Sequence, residues 1–252
     1  MATGTNNSKK GIKGFLSKCW KWGKRIFLWL FVIQFLYIIL LRWVNPPITM
    51  TQLVSWVSGH GLKRDYISSS NMSSNAKLAV IASEDQLFPD HSGFDWKSIK
   101  KAMKYNEKKP GRIRGASTIS QQVAKNVFLW QGRSWIRKGL ETYFTFMIET
   151  FWSKKRILEV YLNVIETGDG VFGIEAAARE YFDKPAKSLT RQEAAMIAAC
   201  LPSPKRYKVK PPSAYVGYRS RVIVGQMNNL QTDPDIQKVI GTGIPAEKKK
   251  TN

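Results

Sequence analysis

Hydrophobic and polar positions divide this chain into regimes with different periods. From Ile26 to Leu41 it reads IFLWLFVIQFLYIILL, apolar on every side, with Gln34 the one strongly polar member. A helix apolar all round has no solvated face, so the pattern predicts a membrane span rather than a surface helix. Carried past a snorkelling Arg42 to Val44, it reaches about 28 Å at about 1.5 Å per residue, close to the ~30 Å hydrocarbon core. Trp20, Trp22, Trp29, Tyr37 and Trp43 supply candidate interface anchors. No Ala-x-Ala-like site follows in LRWVNPPITM, so the segment reads as an uncleaved anchor.

Beyond it, Asn45-Pro46-Pro47 stops the helix, and residues 58–75, rich in Ser, Gly and Asn, read as a linker. From residue 75 to about 202 the period is helical with few strand-like runs. Helices are predicted over Asn75–Asp85, Thr118–Phe128, Arg133 or Ser134 to Phe151, Lys155–Asn163 and Gly173–Phe182. Thr190 and Glu193 form a capping box opening a small-residue helix, AAMIAAC. The expected fold class is mainly α. The expected layout is a basic tail at 1–25, a span at 26–44, a linker at 45–74, a catalytic domain at 75–205 and a basic C-terminal tail at 206–252, its end expected to be disordered.

Charge orients the span. Residues 1–25 hold Lys9, Lys10, Lys13, Lys18, Lys21, Lys24 and Arg25 with no acid, which predicts a cytoplasmic N-terminus. The formal net charge of +22 over 252 residues suits a polyanion or an anionic membrane. With everything after residue 44 outside the cytoplasm, that charge faces the outer membrane surface rather than nucleic acid. Cys19 and Cys200 are the only cysteines and fall on opposite sides of the predicted span, which excludes a disulfide framework and a Cys-based metal site. His60 and His91 are the only histidines, too few for a His-rich metal cluster.

Three helices carry candidate chemistry. Glu84 lies in a last helical turn, where the dipole disfavours a carboxylate and raises its pKa. That suits a general base, and a frayed exposed acid fits equally. Thr118, Gln122 and Lys125 share one face, separate from the apolar Ile119, Val123 and Val127. That face could hold a phosphorylated ligand or simply be solvated. Arg133, Arg137 and Glu141 recur every four residues, with Lys138 beside them. They form either an anion clamp with one embedded carboxylate or an ordinary Arg137–Glu141 pair contributing about 0.2–0.5 kcal/mol.

EDQLFPDHSGFD (84–95), GASTISQQVAKN (115–126), RKGLE (137–141), KKRILEVYLN (154–163) and GIEAAAREYFDK (173–184) resemble, in order, five signatures of the peptidoglycan glycosyltransferases. Ala116 and Ser120 stand where Gly and Thr are common, both small changes. Larger relatives add a transpeptidase domain. Here Ser74–Lys77 and Ser98–Lys101 match Ser-x-x-Lys, but Lys-Thr-Gly is absent and fewer than 50 residues follow Pro204, so transpeptidation is not expected.

The resemblance implies a lysozyme-like fold that polymerises lipid II on an undecaprenyl pyrophosphate carrier. Glu84 would take the proton from the acceptor 4-hydroxyl as that oxygen attacks MurNAc C1, with inversion and loss of pyrophosphate. Lys125, Arg133, Arg137 and Lys138 would stabilise the leaving group, and Glu141 would orient them. Asp85, Phe88 and His91 would shape the site, and Thr118, Gln122 and Asn126 would bind substrate. Implied partners are lipid II, the growing lipid-linked glycan and membrane lipids; cell-wall synthesis or division proteins, and a divalent cation at the pyrophosphate, are left open. No cofactor is expected. The segment 94–109 is either a membrane-touching flap or a plain amphipathic helix. The competing functions are a lysozyme-like hydrolase, which needs a carboxylic acid at the leaving oxygen, and a non-enzymatic cationic scaffold.

Overall fold

The computed structural model describes residues 6–109, 111, 115–132 and 134–242, with backbone alone for residues 6–16. Two compact units result, Met1–Val44 and Asn45–Asn252.

The first unit is one helix, α1 (Asn6–Leu40), followed by a turn through Val44. Its stretch Ser17–Leu40 is long and apolar enough to cross a membrane. At about 1.5 Å per residue those 24 residues span about 36 Å. The helix stops at Leu40 rather than Val44, so the turn carries Arg42 and Trp43, with the guanidinium 5.2 Å from the ring centroid. At the other end Lys24 and Arg25 lie 5.0 and 5.8 Å from the rings of Trp20 and Trp22. Such cation–aromatic pairs at both ends fit a headgroup boundary.

The second unit is mainly helical. In chain order it comprises α2 (Met50–Val57), β1 (Lys63–Arg64), α3 (Ser74–Glu84), α4 (Trp96–Lys108), α5 (Ile119–Phe128), α6 (Trp135–Phe151), α7 (Lys154–Val164), β2 (Glu166–Gly168), β3 (Val171–Phe172), α8 (Ile174–Phe182), α9 (Arg191–Cys200), α10 (Ala214–Leu230) and α11 (Pro234–Ile240). Two helices organise the core. The central α5 buries Ile119, Val123 and Ala124 and packs between α6 and α7. Against α3 pack α9 and α10, and the buried Ala194, Ala195, Ala198 and Ala199 of α9 allow the close approach. The expected capping box at Thr190 is formed, and Thr118 forms a second one that opens α5.

Two expectations fail. The linker at 45–74 is not featureless: α2 packs on α5, and β1 pairs in parallel with β3, which pairs antiparallel with β2. Serine and glycine content reports side chains, whereas this sheet is built from backbone, with Lys63 N–H donating to Gly170 O at 2.8 Å. Nor is 206–252 simply a basic tail after a domain ending at 205. The helix α10 buries Val216, Ser220, Ile223 and Met227, a helical stripe against α3 and α9 that the Pro- and Lys-rich approach obscured. The following α11 opens on Asp233 and Pro234, and the buried Lys77 ammonium of α3 donates to its terminal carbonyl at Ile240, 3.1 Å away.

Candidate active site

Glu84 ends α3 and Asp85 caps it. These neighbours do different work. The Asp85 carboxylate is buried and accepts from Ile119 N–H, at the start of α5, at 3.0 Å. It also holds His91 Nε2 at 2.9 and 3.1 Å. Because His91 Nδ1 accepts from Gly93 N–H at 3.1 Å, Nε2 carries the ring proton and donates to Asp85. The Thr118 hydroxyl donates to Gly93 O at 2.7 Å and accepts from Gln121 N–H at 3.2 Å. Gly93 has φ +89°, and a Cβ there would stand 2.7 Å from Thr145 Cγ2. Phe88 is fully buried beneath Lys154, whose Nζ is 4.6 Å from the ring centroid and also pairs with Glu149. Asp85, Phe88, His91 and Thr118 thereby clamp the 85–93 loop to the α5 N-terminus. The polar groups of Asp85, His91 and Thr118 have partners within the protein.

Glu84 is held from the α5 side. Its Oε2 accepts from Gln122 Nε2 at 2.8 Å, and Gln122 Oε1 accepts from Tyr161 O–H at 3.1 Å. Burial pushes the Tyr161 phenol well above its ordinary pKa, aided by the Glu84 and Asp85 charges, so it stays a donor. A phenol donating to the amide oxygen leaves the amide nitrogen for the carboxylate. Burial also raises the Glu84 carboxyl; the Gln122 bond and the Arg219 charge oppose it, and Asp85 adds to it. Arg219, on α10, reaches the α3 terminus, with Nη2 3.4 Å from Ser83 O.

The cations lie along α5 and α6. Glu141, buried, takes Arg137 Nη1 at 2.8 Å and the Lys138 ammonium at 2.5 Å. The intrahelical pair thus exists, inside a larger cluster that includes Lys125. Burial lowers the Lys125 pKa; Glu141 opposes this, and Arg137 and Lys138 reinforce it. A depression of about 310 Å³ is lined by Ser134, Trp135, Arg137 and Lys138. Arg133 lies outside the described residues. Gln122, Lys125 and Asn126 line a second cleft, of about 460 Å³, with Thr51 from α2 across from Asn126 at 3.4 Å. Among the described residues no group of three or more His, Cys, Asp or Glu is placed to hold a metal.

The structure therefore joins Glu84 to Gln122, and Lys125 to Glu141, Arg137 and Lys138. Three contributors were missed in the sequence. Tyr161 lay within a matched signature but read as core. Arg219 and Tyr215 stand one helical turn apart on α10, and the Val216–Ile223–Met227 stripe was the signal for that helix. Tyr215 stacks on Tyr207 at 4.1 Å and feels the Glu84 charge.

On the segment 94–109, α4 exposes Trp96 and Met103 and buries Ala102.

A transglycosylase family profile matches residues 50–228. A protein named biosynthetic peptidoglycan transglycosylase from Escherichia coli (strain Crooks) is 57% identical over 190 residues, covering 74% of this chain and 78% of that protein. One of the same name from Mannheimia succiniciproducens is 50% identical over 230 residues, covering 88% and 92%. A third, from Shigella boydii serotype 4, is 57% identical over 190 residues, covering 74% and 78%.

Proposed function

The chain belongs to the transglycosylase family, a glycosyltransferase of peptidoglycan synthesis, and from that premise we propose that it polymerises lipid II into glycan strands. The acceptor hydroxyl gives its proton to Glu84 while its oxygen bonds to C1 of the donor sugar. The C1–O bond to pyrophosphate breaks, and its electron pair leaves with undecaprenyl pyrophosphate. Attack opposite the leaving group inverts C1. The observation that carries this reading is the Tyr161–Gln122–Glu84 chain beside a cleft that Lys125 also lines. It fixes a half-buried carboxylate through Gln122, which lines the same cleft as Lys125, and proton removal opposite an anionic leaving group needs a base and a cation on one site.

Lys125, Arg137 and Lys138 stabilise the departing pyrophosphate, with Arg133 assigned to them from the sequence signature. Glu141 fixes Arg137 and Lys138 instead of transferring a proton. Asn126 contacts substrate from the cleft wall, and a divalent cation at the pyrophosphate would be held chiefly by the phosphates. A hydrolase needs a protonated acid and commonly a second free carboxylate. The carboxylate next to Glu84 is Asp85, already bound to His91 and Ile119.

The apolar helix anchors the protein as a single pass. By the basic N-terminal segment the N-terminus is cytoplasmic, and the catalytic unit works on the outer face of the cytoplasmic (inner) membrane. Incubating the full chain with lipid II in detergent tests the reaction. Long strands with release of the carrier are expected; shortening of preformed glycan without synthesis overturns the proposal.

A further inference from the structure

The cleft that holds Gln122 and Lys125 has another wall, built outside the cation cluster. It depends on a close backbone approach. Gly170 has φ +70°, and a Cβ there would lie 2.1 Å from the His60 carbonyl oxygen. Glycine alone lets the His60 turn rest against the β2–β3 turn. The approach sets His60 Nδ1 2.9 Å from Asp169 Oδ1. Lys205, from the turn after α9, stands with Nζ 3.8 Å from both Glu166 Oε1 and Asp169 Oδ1. That is ion-pair range but beyond a hydrogen bond. Glu166 Oε1 is buried with no hydrogen-bond partner among the described residues. Burial raises the Glu166 carboxyl, helped by Asp169; Lys205, a Gly170 N–H donated to the carboxylate and His60 oppose the shift. His60, Glu166 and Lys205 line the same cleft of about 460 Å³ as Gln122 and Lys125.

A buried carboxylate oxygen without a donor is costly unless a ligand completes it. Here that oxygen sits beside an ammonium with donor capacity to spare. The wall offers one acceptor and one cation side by side. A phosphate would meet Glu166 and Asp169 as like charges, and the cations of α6 suit it better. A ligand with both a carboxylate and an N–H donor satisfies the wall.

We propose that Glu166 and Lys205 form a subsite for the peptide branch of the acceptor glycan. Lys205 takes a peptide carboxylate, and Glu166 accepts from a peptide amine or amide N–H. The proposal rests on the peptidoglycan reading above. In a peptide-bearing, lipid-linked glycan the sugars bring hydroxyls and acetamides and the carrier brings phosphates; free carboxylates beside amines belong to the peptide.

The test uses the full-length protein with two acceptors, a lipid-linked disaccharide carrying its peptide and the same molecule with the peptide removed. The readout is the ratio of their KM values in wild type, Lys205→Ala and Glu166→Gln, each checked by thermal melting. Wild type is expected to favour the peptide-bearing acceptor by about tenfold, as one charge-assisted contact supplies. In both variants that ratio is expected to collapse toward one. A ratio near one in wild type, or one unchanged by both substitutions, overturns the subsite. Should wild type polymerise neither acceptor, the polymerase reading falls instead. Binding of a soluble, lipid-free disaccharide-peptide, followed by NMR, then decides the subsite alone: binding weakened by Lys205→Ala supports it, and no binding to wild type removes it.

Discussion

The loop from Asp85 to Gly93 and the cluster of Lys125, Arg137 and Lys138 both border α5, yet they treat charge in opposite ways. In the loop each named charge is consumed. Asp85 answers His91 and Ile119, Lys154 answers Glu149, and Thr118 answers Gly93. In the cluster three cations share one carboxylate. Arg137 and Lys138 already hold Glu141, so Lys125 feels it at longer range, and its own burial works against its charge. A satisfied network rigidifies, and an under-neutralised one waits for an anion. Glu84 lies between these regimes, fixed by Gln122 but raised in pKa by burial.

Substitutions on the two sides should separate activity from stability. Lys125→Ala is expected to cut turnover by about 10²–10³-fold, the effect of losing one group aimed at developing charge. Its melting temperature should hold or rise, because a half-buried ammonium with a lowered pKa costs folding energy at neutral pH. Steady-state kinetics beside a thermal melt check this, and unfolding by Lys125→Ala would erase the contrast. Asp85→Ala should do the reverse. It leaves Ile119 N–H and His91 Nε2–H without their acceptor, costing about 3 kcal/mol of stability in denaturant unfolding.

Smaller effects should appear in the pH profile. Glu84 must be ionised to act, so the rate climbs as pH passes its raised pKa, and the acid limb lies above the ordinary glutamate range. Asp85, Tyr161, Tyr215 and Arg219 are the titratable or charged groups facing it. Arg219→Gln removes a charge that favours ionisation, and Tyr161→Phe frees the Gln122 amide that donates to Glu84. Each should move the acid limb to higher pH while leaving the rate on the alkaline side of that limb less affected. An unmoved limb in both variants would detach Arg219 and Tyr161 from Glu84.

The sequence disclosed the site unevenly, for physical reasons. Gln122 and Lys125 were legible because helical spacing put them on a face apart from the apolar stripe, Glu84 was read only as an acid at a helix end, and the ordered signatures proposed roles for all three. Thr118 was read as a ligand group, and its N-cap role was not, because both uses look alike in sequence. Arg219 was invisible because helix packing, not chain proximity, carries it to the end of α3. The sheet escaped notice because two- and three-residue strands leave no alternation to read.

The central claim is that Glu84 accepts the acceptor's proton while the cations hold the leaving pyrophosphate. Polymerisation of lipid II by Glu84→Gln, against wild type at matched folding, tests it most directly. A loss of about 10²–10⁴-fold is predicted, with a melting temperature at neutral pH equal to or above wild type, since a partly desolvated charge with a raised pKa has gone. A variant that folds and keeps most of the wild-type rate contradicts it.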